Sequence, residues 1–461
     1  MDYRGRRVLV VGLARSGVAA AEFLARRGAR VTATDLRPAA ELSIDLSGLE
    51  TLGVTLALSG HPSGVGSAAE LVVSSPGVPP SSLPLAEARA QGVPVWGEME
   101  LAFREIEGPV IAVTGTKGKS TTSTLIAEIL RKAGRPVALG GNIGRPLIAL
   151  APGAGCDTVF VVEVSSFQLE TIESFRPRIA VLLNVAPDHL DRYPSYESYL
   201  RAKARIFANQ REEDWAVVYA GNPLTVDMAS RSRSKKVYFS LDCLPGRGAH
   251  LCLQGPWVVK HEDGTVEPLL PVDLIPLAGR HNVENALAAA AVADLMGVPV
   301  DALRSAVASF RGLPHALQKV GELNGVVFYD DSKATNVTAA LAALRSFDRD
   351  VILILGGRSK GGDFSELRAE VSRKVKLVLA MGESRDQVAQ ALAGAAPLAL
   401  CASLREAVEI AFAQARAGDT VLLSPACASF DMFRDYAERG ERFREEFERL
   451  GKLWGAAPRG E

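Results

Sequence analysis

Cysteine is scarce in this chain: there are five in 461 residues. Cys156, Cys243, Cys252, Cys401 and Cys427 stand far apart, with no CxxC pair. That argues against a disulfide framework or a cysteine-bound zinc site, and it fits a reducing compartment. A surplus of either charge is also missing. The 52 Lys and Arg against 53 Asp and Glu leave a formal charge of -1, without the basic excess of a nucleic-acid or acidic-membrane binder. No apolar run reaches the ~18 residues of a membrane span. The charged start MDYRGRR leads directly into a strand pattern, so no signal peptide is expected. What remains is an ordinary globular composition, 48% hydrophobic and 23% charged, which excludes extensive disorder. The length suits two to four compact units. The expectation is a cytoplasmic, enzyme-sized monomer with no nucleic-acid or membrane partner.

Along the chain, apolar runs alternate with helical patterns. RVLVVG at 7–12, a helical stretch from Ser16 to Arg27 and VTATD at 31–35 make a strand–helix–strand unit with a right-handed crossover. Strands LVVSS (71–75) and VPVWG (93–97) flank the loop PGVPPSSLP, and the first domain is placed at 1–97. A second segment opens with VIAVTG (110–115) and a helix from Lys119. Its runs TVFVVEV (158–164) and RIAVLLNV (178–185) read as buried parallel strands. Weaker strands near 215–219, 236–240 and 257–260 are expected to form a side sheet, and 282–296 and 299–310 read as helices. Gly312-Leu313-Pro314 ends this domain, placed at 98–311. The third, 312–461, carries GVVFYD (325–330), a helix from Thr335, DVILILGG (350–357), KLVLAMG (376–382), DTVLLSP (419–425) and a charged helix at about 430–450. The expected fold class is α/β, with three consecutive α/β domains of nucleotide-binding type.

GTKGKST at 115–121 follows a strand and precedes a helix, which is the setting of a phosphate-binding loop. Its glycines let backbone N–H groups curl around phosphate oxygens, and the helix N-terminus adds positive potential. Lys119 would reach the β/γ-phosphates and the Ser120 hydroxyl would ligate Mg²⁺. Val113 stands where the usual first glycine would be. GLARSG at 12–17 is weaker: a dinucleotide fingerprint wants GxGxxG, and position 14 is Ala. With Asp35 closing the next strand, a nucleotide or nucleotide-sugar site, a plain tight turn and a dinucleotide cofactor all stay open.

Glu163 ends a buried strand, where a carboxylate is expensive unless paired or bound to a cation. With Ser120 it offers the hard oxygen ligands that magnesium prefers. The loop NVAPDHLDRY (184–193) adds Asp188, His189 and Asp191. By local sequence alone Lys203 in YLRAKARIF reads as a solvated helix lysine, and Asn285 in HNVEN as a cap or an adenine contact. DDSKATN (330–336), GGRSKGGDF (356–364) and SPACASFD (424–431) each follow a strand. Three such loops in one domain favour a small anionic substrate.

Taken together, GTKGKST, GGNIG (140–144), EVSSFQLE (163–170), DHLDRY (188–193), RAKARI (201–206), HNVEN, GLPH (312–315), DSKATN, GGRSKGGDF and SPACAS resemble the Mur ligase family across essentially the whole chain. SSFQLE, DSKATN and SPACAS look specific to its D-glutamate-adding members. The resemblance implies a Rossmann-like UDP-binding domain, a P-loop ATPase-like central domain and a Rossmann-like C-terminal domain. It implies ATP- and Mg²⁺-dependent ligation of D-glutamate to UDP-N-acetylmuramoyl-L-alanine through an acyl phosphate, in peptidoglycan precursor synthesis. Arg15, Ser16, Asp35, Arg37, Gly77 and Asn142 would hold the UDP substrate. Gly115, Thr116, Lys117, Gly118, Lys119, Ser120, Thr121, Asn285 and Asp331 would hold ATP. Ser120, Glu163, His189 and a carbamylated Lys203 would serve the metal, overturning the bland reading of that lysine. Lys119, Glu163, His189, Lys203 and Lys333 would be catalytic, and Thr335, Lys360, Ser429 and Tyr436 would receive D-glutamate. The chain departs from the family pattern at Lys117 (commonly Asn), Ala316 (commonly Arg), Asp330 (commonly Asn), Tyr436 (often Phe) and Leu36 (Thr in the family). Lys117 or Lys319 is expected to replace the cation missing at Ala316. The competing readings are a related ligase such as a folylpolyglutamate synthase, an NAD-dependent oxidoreductase and a P-loop switch protein.

Overall fold

The computed structural model describes every residue except Ser43, Leu190, Asp191, 245–247, Ala278 and 456–461. The chain forms two compact units, Met1–Phe310 and Arg311–Glu461. The first unit holds two sheets. One contains β1 (Arg7–Val11), β2 (Arg30–Thr34), β3 (Thr55–Ala57), β4 (Leu71–Ser74) and β5 (Val95–Gly97), all parallel in the order β3-β2-β1-β4-β5. Strand order reverses between β1 and β4, and ligands of open α/β sheets collect at such a switch point.

The second sheet runs from β6 (Val110–Thr114) through β7 (Val137–Gly141), β8 (Val159–Glu163), β9 (Ile179–Leu182), β10 (Trp215–Tyr219), β11 (Lys235–Phe239) and β12 (His250–Gln254). It ends with β13 (Trp257–Glu262) and β14 (Thr265–Pro271). Its spatial order is β14-β13-β12-β11-β10-β9-β6-β8-β7. β7 to β12 are parallel, and the last two strands add an antiparallel meander. The expected side sheet is therefore corrected: those strands extend the main sheet. Val217, Val237, Phe239 and Leu251 share a buried core with Val113 and Leu130, while flanking lysines and turns mask the pattern in sequence. The helix Arg280–Leu295 buries every residue from Asn285 to Ala293, as an Ala-rich helix with no polar face must.

The second unit has β15 (Gln318–Leu323), β16 (Val326–Asp330), β17 (Val351–Gly356), β18 (Val375–Met381), β19 (Leu398–Leu400) and β20 (Thr420–Leu423). Their order is β15-β16-β20-β17-β18-β19, and only the β15–β16 pair is antiparallel. The helix expected from Thr335 is Val337–Arg345; Asn336 caps it, its Oδ1 accepting the Ala339 N–H at 2.8 Å. The closing helix is Tyr436–Gly455 rather than about 430–450.

Against the expectation of no disulfide framework, one pair is found: Cys243 and Cys252 form a disulfide. They are nine residues apart, and β12 returns beside the loop that carries Cys243, a proximity no local motif announces. Among the described residues no helix is long and apolar enough to cross a membrane.

Glu98 opens the helix Glu98–Phe103 and accepts the Ile148 N–H at 2.7 Å. Burial pushes its carboxyl up to about 7, against the opposing pull of the Ile148 and Leu147 N–H groups. The folded chain thus holds this proton more tightly than the unfolded chain does. Stability from this group is full below about 4.5, the ordinary value for a glutamate carboxyl, and is lost as pH rises through about 7. Urea melts from pH 5 to pH 8 should show wild type losing up to about 3 kcal/mol relative to Glu98→Gln; parallel curves would refute the assignment.

Candidate functional site

Topology assembles two groups of loops. In the second sheet β9, β6, β8 and β7 are neighbours. The loop after each, 183–189, 115–118, 164–165 and 142–146, therefore opens at the same edge. In the second unit β16, β20 and β17 are neighbours, so DSKATN, SPACAS and GGRSKGGDF emerge side by side although they span about a hundred residues of sequence.

At the first edge Glu163 is 2% exposed. Its Oε2 accepts the Ser120 hydroxyl at 2.5 Å and its Oε1 accepts Asn142 Nδ2 at 2.6 Å. Lys119 opens the helix Lys119–Lys132 and donates its Nζ to the carbonyls of Gly115 and Thr116, both at 2.9 Å. Lys203, also 2% exposed, donates to the same Gly115 carbonyl at 2.8 Å and lies 4.8 Å from the Tyr199 ring centroid. Burial, aided by the charge of Lys119, pulls Lys203 down to about 7. The reading of Lys203 as a solvated lysine is thereby overturned.

Gly118 has φ +83°, and a Cβ there would stand 2.4 Å from Asn285 Oδ1. That oxygen accepts the Thr122 hydroxyl at 3.2 Å, so Asn285 backs the loop rather than capping its own helix. Thr121 lies in the first turn of the same helix. His189 is exposed, with its ring 4.8 Å from Phe167; among the described residues it makes no hydrogen bond to Ser120 or Glu163. Asp191 lies outside the described residues.

Two supports were missed in the sequence. Asn184 accepts the Lys117 N–H at 2.8 Å and donates to its carbonyl at 3.0 Å, and Tyr199 pairs its hydroxyl with Thr116 Oγ1 at 2.9 Å. Asn184 sits where a strand ends in polar residues, a signal that was present but unspecific. Lys117 itself is exposed.

In the first sheet Asp35 gathers the GLARSG turn. It accepts the Leu13 N–H at 2.8 Å and both Nε and Nη2 of Arg37 at 3.0 Å. Burial opposes ionisation, but these donors draw the carboxyl down to about 2. Ser16 stands in the first turn of the helix Arg15–Arg26, and Arg15 donates to the Gly144 carbonyl at 3.1 Å. Arg192 donates to the Gly77 carbonyl at 3.4 Å. Leu36 is 66% exposed.

In the second unit Asp331 accepts the Ser424 hydroxyl at 2.7 Å and the Leu317 N–H at 3.0 Å. Burial raises its carboxyl to about 7. Asp330 meets His315 at 2.6 Å, which gives the departure from Asn a partner. Lys360 donates to Thr335 Oγ1 at 3.1 Å, and the Lys333 N–H donates to the His315 carbonyl at 2.8 Å. Ser429 is buried, and the half-exposed Tyr436 has its ring 6.4 Å from His315. Arg439, with no exposed surface, donates to Ser332 and to the Cys427 carbonyl. In sequence it reads as part of a solvated charged helix. Lys319 forms an exposed ion pair with Glu322 at 3.3 Å.

Both loop groups pair hydrogen-bond donors with carboxylates at strand ends, suited to a polyphosphate with a hard cation in one and to a small dianion in the other. Close packing keeps the first-sheet turn in shape: a Cβ on Gly17 would stand 1.8 Å from the Gly12 carbonyl oxygen. Gly17→Ala should therefore cost about 1–3 kcal/mol, read as a lower urea midpoint at unchanged m; an unchanged midpoint would refute the tight packing.

Comparisons with known proteins match this layout. Residues 6–97 match the Mur ligase MurD-like N-terminal domain, 113–293 the Mur ligase middle domain, and 317–427 the Mur ligase glutamate ligase domain. UDP-N-acetylmuramoylalanine–D-glutamate ligase of Acidobacterium capsulatum is 45% identical over 445 residues, 96% of each chain. The protein of the same name from Solibacter usitatus is 46% identical, covering 96% of this chain and 98% of its own. Among solved structures, UDP-N-acetylmuramate–alanine ligase of Thermotoga maritima superposes with a TM-score of 0.58 at 19% identity, over 96% of this chain and 100% of that one. MurF ligase of the same organism, in complex with ADP, gives 0.57 at 18% over 97% and 96%. These two likenesses concern the fold.

Proposed function

The chain belongs to the Mur ligase family, and from that premise we propose that it joins D-glutamate to UDP-N-acetylmuramoyl-L-alanine, with ATP as co-substrate, in peptidoglycan precursor synthesis. The observation that carries this reading is 45% identity, over 96% of both chains, to a ligase named for that reaction. We assign 1–97 to the uridine nucleotide, 98–311 to ATP and 312–461 to the amino acid, in a cytoplasmic setting.

A free carboxylate resists amine attack, because its charge repels the nucleophile and oxide is a poor leaving group. Moving the γ-phosphoryl of ATP onto the alanine carboxylate gives an acyl phosphate. The D-glutamate amine then attacks the carbonyl, and the tetrahedral adduct expels phosphate. Phosphoryl transfer asks the protein mainly for positioning and charge stabilisation. The loop 115–118 and Lys119 would surround the phosphates, with Lys119 exchanging the carbonyls of Gly115 and Thr116 for phosphate oxygens. Asn285, which backs the loop at Gly118, would contact the adenosine. Asn142, already on Glu163, would orient the muramoyl-alanine end, and Asp35, Arg37, Ser16, Arg15 and Gly77 would hold the uridine diphosphate.

The donor set fits a magnesium ion: a buried carboxylate, Glu163, 2.5 Å from a serine hydroxyl, offers hard oxygens. Bound there, the ion would neutralise charge on the transferred phosphoryl group. His189 belongs to this proposal as a residue of the loop after β9. Lys203 suits carbamylation because burial holds it near 7, leaving much of its amine neutral and nucleophilic toward carbon dioxide at physiological pH. Lys360, Thr335, Ser429 and Tyr436, with Lys333 nearby, would receive the carboxylates of D-glutamate.

Phosphate release should require the acceptor, D-glutamate and Mg²⁺ together; L-glutamate, L-lysine or meso-diaminopimelate serving equally well would overturn the assignment. Lys119→Ala should lower kcat about 10²–10³-fold, read by ADP formation. In ¹³C-bicarbonate, wild type should show a carbamate carbon resonance that Lys203→Arg abolishes. A resonance that survives in Lys203→Arg would move the modification elsewhere.

A further inference from the structure

Cys243, Cys252 and His261 gather toward the far end of the nine-stranded sheet, away from the loop after β6. β12 lies four strands from β6, or about 19 Å at the usual strand spacing. The β12–β13 register sets His250 opposite His261 and Cys252 opposite Val259, so His250, Cys252 and His261 share one face. The loop between β11 and β12 returns Cys243 over that face. It is fastened there by the Asp242 N–H on Ser240 Oγ at 3.1 Å and the Leu244 N–H on His250 Nε2 at 3.3 Å. One ligand atom from each of Cys243, Cys252 and His261 lies within 4.8 Å of the others.

We propose that in the reduced chain these three residues bind one thiophilic d¹⁰ metal ion of the zinc class, with the fourth position left to water. A disulfide alone gives His261 no role, yet its Nε2 stands 4.0 Å from Cys243 Sγ. Zn–S near 2.3 Å and Zn–N near 2.0–2.1 Å in a tetrahedron put sulfur and nitrogen about 3.6 Å apart, and the two sulfurs about 3.8 Å apart. The histidine is therefore within about 0.4 Å of ligand spacing from Cys243 and no more than 4.8 Å from Cys252. The sulfurs reach theirs by side-chain rotation, their Cα atoms being 5.0 Å apart. His250 holds the plane of His261, the rings stacking at 4.6 Å and 5°, while its own ring is tied to the Gly248 carbonyl at 2.9 Å.

The disulfide and the metal exclude each other. A dithiol reductant supplies two electrons and two protons to the Cys243–Cys252 bond and leaves as its own disulfide. The ion then displaces one proton from each thiol. Bound, it would tie Cys243 to the β12–β13 hairpin.

The test uses the full chain carrying Cys156→Ser, because Cys156 is exposed, with cobalt(II) as spectroscopic probe and zinc(II) as competitor. After reduction, one equivalent of cobalt should bind with a thiolate-to-metal charge-transfer band that zinc displaces. The oxidised chain, Cys252→Ser and His261→Ala should lose the band. An absent band, or one unchanged in Cys243→Ser and Cys252→Ser, overturns the site. Should those variants fail to fold, mass-mapped alkylation decides on unmutated ligands: zinc must protect Cys243 and Cys252 in the reduced chain, and equal labelling with and without zinc overturns the proposal.

Discussion

A buried carboxylate at the end of β8 is the constraint from which the ATP-side geometry follows. Glu163 is almost fully withdrawn from water, and an unpaired charge there would cost several kcal/mol. Its two oxygens are taken by Ser120 and Asn142, which come from the first turn of the helix after β6 and from the loop after β7, the strands flanking β8. The three loops are thus tied to one another before any ligand arrives. Replacing the Ser120 contact by a cation leaves the carboxylate satisfied, so binding exchanges one partner for another without a new uncompensated charge.

The second unit solves a related problem with the opposite sign. Arg439 has no solvent-exposed surface and holds the backs of two loops, bonding Ser332 behind DSKATN and the Cys427 carbonyl behind SPACAS. Burial lowers its guanidinium only to about 10, so it stays charged at neutral pH. Asp330 and Asp331 contribute opposing charge, and Asp330 is also closed off by His315. On the proposed assignment, a dianionic substrate would enter beside a cluster in which the buried Arg439 already faces these carboxyl groups. That leaves Lys360 on Thr335, at the exposed side of the loop, as the cation proposed for the substrate carboxylates.

Local chemistry was legible in the sequence and long-range packing was not. GTKGKST, the strand-terminal Glu163 and the three polar loops of the last domain declare themselves because glycine, hydroxyl and carboxylate stand together at strand ends. The sheet of nine was misread as a main sheet with a side sheet, since Lys235 and Lys236 and the turns around β12 hide strands whose apolar residues are few. Asn184 and Arg439 act through partners 67 and 107 residues away, and the Cys243–Cys252 pairing depends on how β12 returns beside its neighbour. No spacing rule reaches those. Lys203 is the instructive middle case: its helix looks solvated from neighbouring residues, the family resemblance singles it out, and burial against Tyr199 and Gly115 supplies the physical reason.

That lysine also explains why one carbonyl matters so much. Gly115 O accepts from both Lys119 and Lys203, so two ammonium groups converge on a single oxygen in a low-dielectric setting. The pair is relieved by lowering the proton affinity of the more buried member, and that member is Lys203. A neutral amine there removes the repulsion; conversion to a carbamate would reverse it, setting an anion beside Lys119 and one more oxygen donor near Glu163. The same burial that makes the cation unstable thus makes the modified side chain useful. Lys119 opens the helix that follows the phosphate loop, whose N-terminus adds positive potential toward a polyphosphate.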